Sequence, residues 1–367
     1  MKNSFGNSLT VTLFGESHGP AVGAVLDGLC PGLAVDEAYL ERQLARRRPA
    51  GETDTARTEP DRFQIISGVF NGKTTGTPLC IVIPNENARS GDYEYGKARP
   101  SHADYAAFAK YHGCEDYRGG GHFSGRVTAA LVAAGAVVRP ALAGLGVRLG
   151  THILQCGGVD DAPFNENEIE YELTQLEQAV FPVLSEEAGR LMRERIAAAK
   201  AEGDSVGGAT QTAVTGLPAG LGEPWFDSVE GLLSHALFSV GGVKGVAFGA
   251  GFAGTDLRGS EYNDALRMEN GAVKTLTNRN GGVNGGITNG MPVVFRCAVK
   301  PTPSIAKTQQ TVDFINNENT DIEIKGRHDP AILRRVCPVI DSVTALVLYD
   351  LIAGRYGTDC FVKGIVP

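Results

Sequence analysis

Several common protein classes are excluded by what this chain does not contain. Its 7 cysteines stand singly, at 30, 80, 114, 156, 297, 337 and 360, with no C-x-x-C spacing. That pattern provides neither a zinc ribbon nor a thioredoxin-type motif, and reduced thiols are the default. No H-E-x-x-H and no Cys/His cluster occurs, so no metal is expected. Positive charge is also scarce. The net charge is −8, which argues against a nucleic-acid partner, because such binding needs a basic footprint. No uncharged apolar run is long enough to span a bilayer, and the opening "MKNSFGNSLTVTLFG" lacks the apolar centre of a secretory signal. The expectation is a cytoplasmic protein. No repeat of fixed period and no low-complexity linker is present.

Glycine, by contrast, is abundant: 48 of 367 residues, scattered without a collagen period. Such a chain needs many tight turns and loops where a ligand approaches the backbone. The densest case is "DYRGGGHFSGR" (116–126), three glycines between two arginines. A guanidinium offers a planar fork matched to carboxylate or phosphate, so this stretch reads as an anion site. The apolar segment that follows (124–146) reads as a buried helix, whose start would bring backbone N–H groups to the same anion.

Other segments supply the framework. "SLTVTLFG" (8–15) and "PVVFRCAVKP" (292–301) alternate like strands, and an Asn-Gly turn joins two more strands between 62 and 83. Residues 36–49 read as a helix capped by Asp36, ended by Pro49 and carrying Arg46, Arg47 and Arg48 in its last turn. Residues 103–113 read as a helix closed by Gly113, and 338–354 as a buried helix with Pro338 in its first turn. Two amphipathic helices near 165–203 suggest a solvent-facing excursion. Strands and helices mix without a βαβα rhythm, which favours an α+β fold. Two nucleotide-binding patterns are decoys. "GVFNGKT" (68–74) has Ser67 where a P-loop needs glycine and reads as a hairpin; "GAGFAG" (249–254) is not followed by a helical pattern.

Further stretches share the character of the triple glycine. "FGESHG" (14–19) sets His18 among glycines at a strand end, and "RPSHAD" (99–104) sets His102 beside Arg99. "KPTPS" (300–304) and "KGRHDP" (325–330) add Lys300, Lys325, Arg327, His328 and Asp329. Histidine moves protons near neutrality, so the set describes a site for a small, multiply anionic ligand. His112, His152 and His235 lack such neighbours and read as structural.

Together "FGESHG", "RPSHADY", "DYRGGG", "EGDSVGG", "GLPAGLGEP", "KPTPS" and "KGRHDP" resemble the chorismate synthase family, in that family's order and over nearly the whole chain. The resemblance implies one α+β domain spanning 1–367, a layer of helices between two antiparallel β-sheets, assembled as a homotetramer. It implies conversion of 5-enolpyruvylshikimate-3-phosphate to chorismate and phosphate, an anti-1,4-elimination requiring reduced FMN without net redox change. It makes His18, His102 and Asp329 the catalytic candidates. It implies FMN contacts at His122, Phe123, Ser124, Gly241, Gly242, Gly285, Lys300, Pro301, Thr302, Pro303, Ser304 and Arg327. It implies clamps on the trianionic substrate at Arg47, Arg48, Arg126 and Arg327. The chain departs from the family pattern at His122, Phe123 and Gly241, and it has no second arginine after the Arg-Arg-Arg-Pro end until Arg57. With no added reductase segment in view, the expectation is an external flavin reductase, with NADPH an indirect reductant. The rivals are a redox flavoenzyme on the same site and a flavin- or anion-binding module without chemistry.

Overall fold

The computed structural model describes residues 2–51, 54, 60–86, 93–324 and 328–363. The first part of the chain gives β1 (Ser4–Phe5), β2 (Thr10–Gly15), β3 (Ala21–Asp27), α1 (Glu37–Arg47), β4 (Gln64–Ser67), the hairpin β5 (Val69–Phe70) and β6 (Lys73–Thr74), and β7 (Leu79–Pro84). Asp36 caps α1, its Oδ1 accepting from the Tyr39 N–H at 2.9 Å. Asn71 and Gly72 both take positive φ in the β5–β6 turn, the conformation an Asn-Gly pair favours. Strands β1-β2-β3-β7-β4 form one sheet, in that order.

Next come α2 (Asp104–Tyr111), α3 (Thr128–Gly144), β8 (Arg148–Cys156), β9 (Val159–Asp160), α4 (Ile169–Gln178), α5 (Glu186–Ala201), β10 (Gly208–Thr215), α6 (Val229–Leu237) and β11 (Val243–Phe248). Short α7 (Gly259–Tyr262) precedes the hairpins β12 (Leu266–Glu269)–β13 (Ala272–Thr275) and β14 (Val283–Asn284)–β15 (Ile287–Thr288). The chain then forms β16 (Val293–Val299), the hairpin β17 (Gln309–Asp313)–β18 (Glu318–Ile322), α8 (Leu333–Tyr356) and α9 (Cys360–Lys363). A second sheet has the order β11-β16-β10-β8-β9. Every strand pairing among the described residues is antiparallel.

Helices α3 and α8 pack on each other between the sheets, α3 against β3 and β7, α8 against β8 and β10. This is the α+β arrangement expected, helices between two antiparallel sheets. The two helical stretches apolar enough to span a bilayer, Gly125–Gly144 and Leu333–Tyr356, are these core helices. They cross closely at Gly135, where a Cβ would stand 2.3 Å from Ser342 Cβ. Glycine is required there for approach, since its φ is not positive.

Two expectations need revision. Pro338 is not in the first turn of α8, because the helix begins at Leu333. No side chain caps that start; the tertiary bonds of Arg334 and Arg335, described below, fix it instead. The second concerns 165–203. Helix α4 is not an excursion but a cover. Ile169, Leu173 and Leu176 pack with Phe164 and Ala213 in a small separate core. Val214, the next residue of β10, belongs to the main core, so α4 lies on the sheet face opposite α8. Beneath it, His152 Nδ1 meets Asp161 Oδ2 at 3.1 Å and Nε2 meets Gln211 Oε1 at 3.2 Å, a structural use of this histidine.

Gly135→Val should force α3 and α8 apart. The expected loss is about 1–3 kcal/mol, read as a lower urea midpoint at unchanged m-value; an unchanged midpoint would show that the crossing can relax.

Candidate active site

A pocket of about 280 Å³ opens where the end of α1, the approach to α3 and the start of α8 meet. Arg47, Arg126 and Arg335 line it, with the carboxylates Asp61 and Asp329, the hydroxyls of Ser124, Thr128, Thr302 and Ser304, the imidazole of His328, and Gly241.

The arginines are held rigidly. Arg126 donates to Asn85 Oδ1 at 2.9 Å, to the Pro84 carbonyl at 3.1 Å and, through Nη1, to Asp61 Oδ1. Arg47 donates to Thr128 Oγ1 at 2.8 Å, to the Gly125 carbonyl at 2.7 Å and to Asp61 Oδ2 at 3.5 Å. Both guanidiniums therefore grip one buried carboxylate. Burial pulls Arg47 down to about 9, with Arg335 and Arg126 adding to the fall while Asp61 and Asp329 oppose it, so it stays charged at neutral pH. Arg335 donates to the Arg47 carbonyl at 3.0 Å and to Asp329 Oδ2.

His102 borders this pocket through Ser304. Its Nδ1 lies 3.0 Å from the Pro100 carbonyl and its Nε2 2.9 Å from Ser304 Oγ. A carbonyl can only accept, so Nδ1 carries the proton. Burial, then the charges of Arg99 and Lys300, lower His102 to about 4, against opposition from the Pro100 bond and Asp104. The ring is thus neutral at pH 7, and Ser304 donates to Nε2. Arg99 is clamped on Asp104, with Nε and Nη2 each at 2.8 Å from a carboxylate oxygen, which fixes the loop bearing His102 at the start of α2.

The triple glycine works differently from the sequence expectation. Helix α3 starts only at Thr128, after a 3₁₀ turn at Gly125–Val127 capped by Ser124. The glycines do not deliver a helix N-terminus. Gly119, Gly120 and Gly121 take φ of 61°, 80° and 52°, a run closed to ordinary side chains. A Cβ on Gly119 would stand 2.2 Å from the ring of His18. The run therefore folds around buried His18, whose other side meets Tyr93 edge-on at 5.3 Å. Arg118 pairs with Asp116 at 2.8 Å.

Other candidates lie off the pocket wall. Arg48 donates to the Pro60 carbonyl at 2.9 Å. His122 donates from Nδ1 to the Gly15 carbonyl at 2.8 Å, and exposed Phe123 meets Tyr111 at 6.0 Å. Lys300 donates to the Ser101 carbonyl at 2.6 Å. Pro301, Pro303 and Gly242 flank Thr302 and Gly241 without lining the pocket, and Gly285 sits in the β14–β15 turn. Lys325, Arg327 and Arg57 lie outside the described residues. Sequence reasoning missed Asp61 and Arg335. The second had a signal: Arg334 and Arg335 open a buried helix at the end where its dipole disfavours cations.

A pocket that fixes cations and hydroxyls beside the half-buried imidazoles of His328 and His102 defines an anion-binding enzyme site. Comparison with known proteins sharpens this. Residues 9–353 match the family described as Chorismate synthase. The chorismate synthase of Methanosarcina acetivorans is 47% identical over 351 residues, covering 95% of each chain. That of Aeropyrum pernix is 46% identical over 356 residues, covering 96% of this chain and 93% of the relative. A crystal structure of chorismate synthase superposes with a TM-score of 0.78 at 27% identity, covering 98% of this chain and 96% of that one. The chain belongs to the chorismate synthase family, and with it to the phosphate-eliminating lyases of biosynthesis.

Two outcomes test the site geometry. Asp61→Asn strips the shared counter-charge from Arg47 and Arg126 and should cost about 3 kcal/mol of stability. Millimolar inorganic phosphate should restore melting temperature more in this variant than in the parent; equal responses would mean that Asp61 does not hold the cations for an anion. Gly119→Ala should displace His18 and lower turnover more than stability, measured by steady-state rate beside thermal unfolding.

Proposed function

We propose that the chain converts 5-enolpyruvylshikimate-3-phosphate to chorismate and phosphate, by an anti-1,4-elimination requiring reduced FMN and leaving no net redox change. The observation that carries this is the pair Arg47 and Arg126, fixed on Asp61 and lining the same pocket as Ser304, the hydrogen-bond partner of His102. A substrate with two carboxylates and a phosphate needs such fixed cations once it leaves water.

The residues present fit a flavin. Gly241 lines the pocket, and a Cβ there would meet nothing within 4 Å. Thr302 Oγ1 is buried without a partner. Ser124, Gly241, Thr302 and Ser304 would hold FMN. Reduced FMN, when bound, would supply electron density to the substrate as phosphate departs. His18, buried against Gly119, would serve as the proton group at the flavin, and Asp329, oriented by Arg335, would take part in proton removal.

His102 is the proposed acid for the leaving phosphate. It is neutral in the free protein, so it must gain a proton when the anion binds. The sign follows from charge: a phosphate beside the ring raises its pKa from about 4. Calorimetry at pH 7 in buffers of different ionisation heat should show proton uptake on binding, and His102→Gln should reduce it. Uptake identical in both proteins would remove His102 from this role.

The same reading takes the working form as a cytoplasmic homotetramer, fed reduced FMN by a separate reductase, with NADPH acting only indirectly. Exposed Trp225, Phe226, Phe252, Leu266 and Met268 support an assembly. The deciding experiment is anaerobic phosphate release from 5-enolpyruvylshikimate-3-phosphate with chemically reduced FMN and no NADPH. Many turnovers per flavin are expected. His18→Ala and His102→Ala should each lose roughly 10²–10⁴ in rate while still binding flavin. Stoichiometric consumption of reductant would instead indicate a redox flavoenzyme.

A further inference from the structure

His18 and His102 are held by different means. His102 is fixed by its own hydrogen bonds and by the Arg99–Asp104 clamp. His18 lies in the turn between β2 and β3. Its main chain is pinned on either side, the Ser17 N–H donating to the Gly121 carbonyl at 3.0 Å and the Gly19 N–H to the Glu16 carbonyl at 3.1 Å. Those bonds set the backbone, but the direction of the ring is a matter of side-chain rotation and of what packs around it.

Gly119 bounds the ring on one side. On another stands Tyr93, with ring centroids 5.3 Å apart and planes at 81°. Tyr93 is covered in turn by Arg99, whose Cζ is 5.3 Å from the Tyr93 centroid. Arg99 is anchored by three bonds to the Asp104 carboxylate, two from its side chain at 2.8 Å and one from its backbone N–H at 2.9 Å. Its Nη2 also lies against the glycine run, where a Cβ on Gly120 would stand 3.4 Å away. Gly119 thus backs His18, Gly120 backs Arg99, and the Tyr93 ring touches both side chains.

The framework makes no use of this ring. Tyr93 lies outside every strand and helix and belongs to neither hydrophobic core. Both contacts are made by the ring: a guanidinium drawn to an aromatic face, and an edge-on pair of the kind aromatic rings favour.

We propose that Tyr93 is a positioning residue, wedged between His18 and Arg99, whose ring holds the His18 imidazole in the orientation its proton step requires. The inference rests on the role proposed above for His18. It also gives both histidines one anchor, because Arg99 fixes the His102 loop as well. A misplacement of about 1 Å caused away from the chemistry can cost on the order of 10²-fold in rate, so a ring acting only through its neighbour has a measurable effect.

The test compares Tyr93→Leu and Tyr93→Phe in the full chain. Tyr93→Leu should melt close to the parent, keep its KM, and lose about 10- to 10²-fold in kcat for phosphate release. Tyr93→Phe keeps the ring and should recover most of that loss. In a His18→Ala background, Tyr93→Leu should cost nothing further, since the group it acts through is gone. A second readout is independent of turnover. In protein labelled with 15N-histidine, the His18 ring should give one sharp set of signals in the parent and in Tyr93→Phe, and broadened or multiple signals in Tyr93→Leu. Parent-like kcat in Tyr93→Leu, an equal fall with and without His18, or an undisturbed His18 signal in Tyr93→Leu would each overturn the proposal. A loss in Tyr93→Phe as large as in Tyr93→Leu would assign the effect to the hydroxyl and also overturn it. If the parent itself releases no phosphate, the proposed reaction fails, and the His18 signals still decide whether Tyr93 orients that ring.

Discussion

The site depends on how one end of α1 is joined to one end of α8. A helix leaves its last carbonyls without intrahelical partners. Here the carbonyls of Arg46 and Arg48 accept from Arg334, and that of Arg47 accepts from Arg335. Arg334 also donates to Asp54 at 2.8 Å. The arginines stand at the positive end of the α8 dipole, where cations are disfavoured. They are retained because they complete another helix. The junction sets the α1 backbone so that the Arg47 side chain turns to Asp61, Thr128 and Gly125.

Asp61 extends the same logic. It is a buried carboxylate at positive φ, an uncommon conformation for any residue but glycine. Two guanidiniums converge on it from α1 and from the turn before α3. A single arginine on a loop would lose much rotamer freedom on meeting a ligand. These two are already ordered, so the loss falls on folding and not on binding. The glycine run makes the complementary contribution, letting the chain close over His18 where a side chain would collide with the ring.

Much of this was legible in the sequence because it is local. Asp36, Asn71-Gly72 and the alternation in 293–299 each report a nearby backbone preference, and each element formed where expected. Ordered motifs brought His102, Ser304, Arg47 and Arg126 to attention before any geometry was known. What stayed hidden is what distant segments do to one another. Nothing around Asp61 marks it as the partner of Arg47 and Arg126. Pro338 looked like a helix start because proline favours that position, yet tertiary bonds outweighed the local signal. Helix α4 looked solvent-facing because its charges are mixed, but only its fold-level position shows that it covers the second sheet.

Charge balance links the resting pocket to its proposed chemistry. Among the described residues three guanidiniums and two carboxylates line it, a balance of one positive charge with His102 neutral. A trianion entering that set would leave two negative charges if no proton followed. Such an imbalance is expensive in a site partly closed to water. In the proposed reaction the neutral histidine beside Ser304 would serve as a reserve of positive charge, drawn on when the anion arrives. A histidine charged beforehand would sit against Arg99 and Lys300, with only Asp104, already clamped on Arg99, to offset them. On that proposal the acid would be created by the ligand that needs it, and an acidic protein could hold a concentrated cationic site without keeping every cation charged at rest.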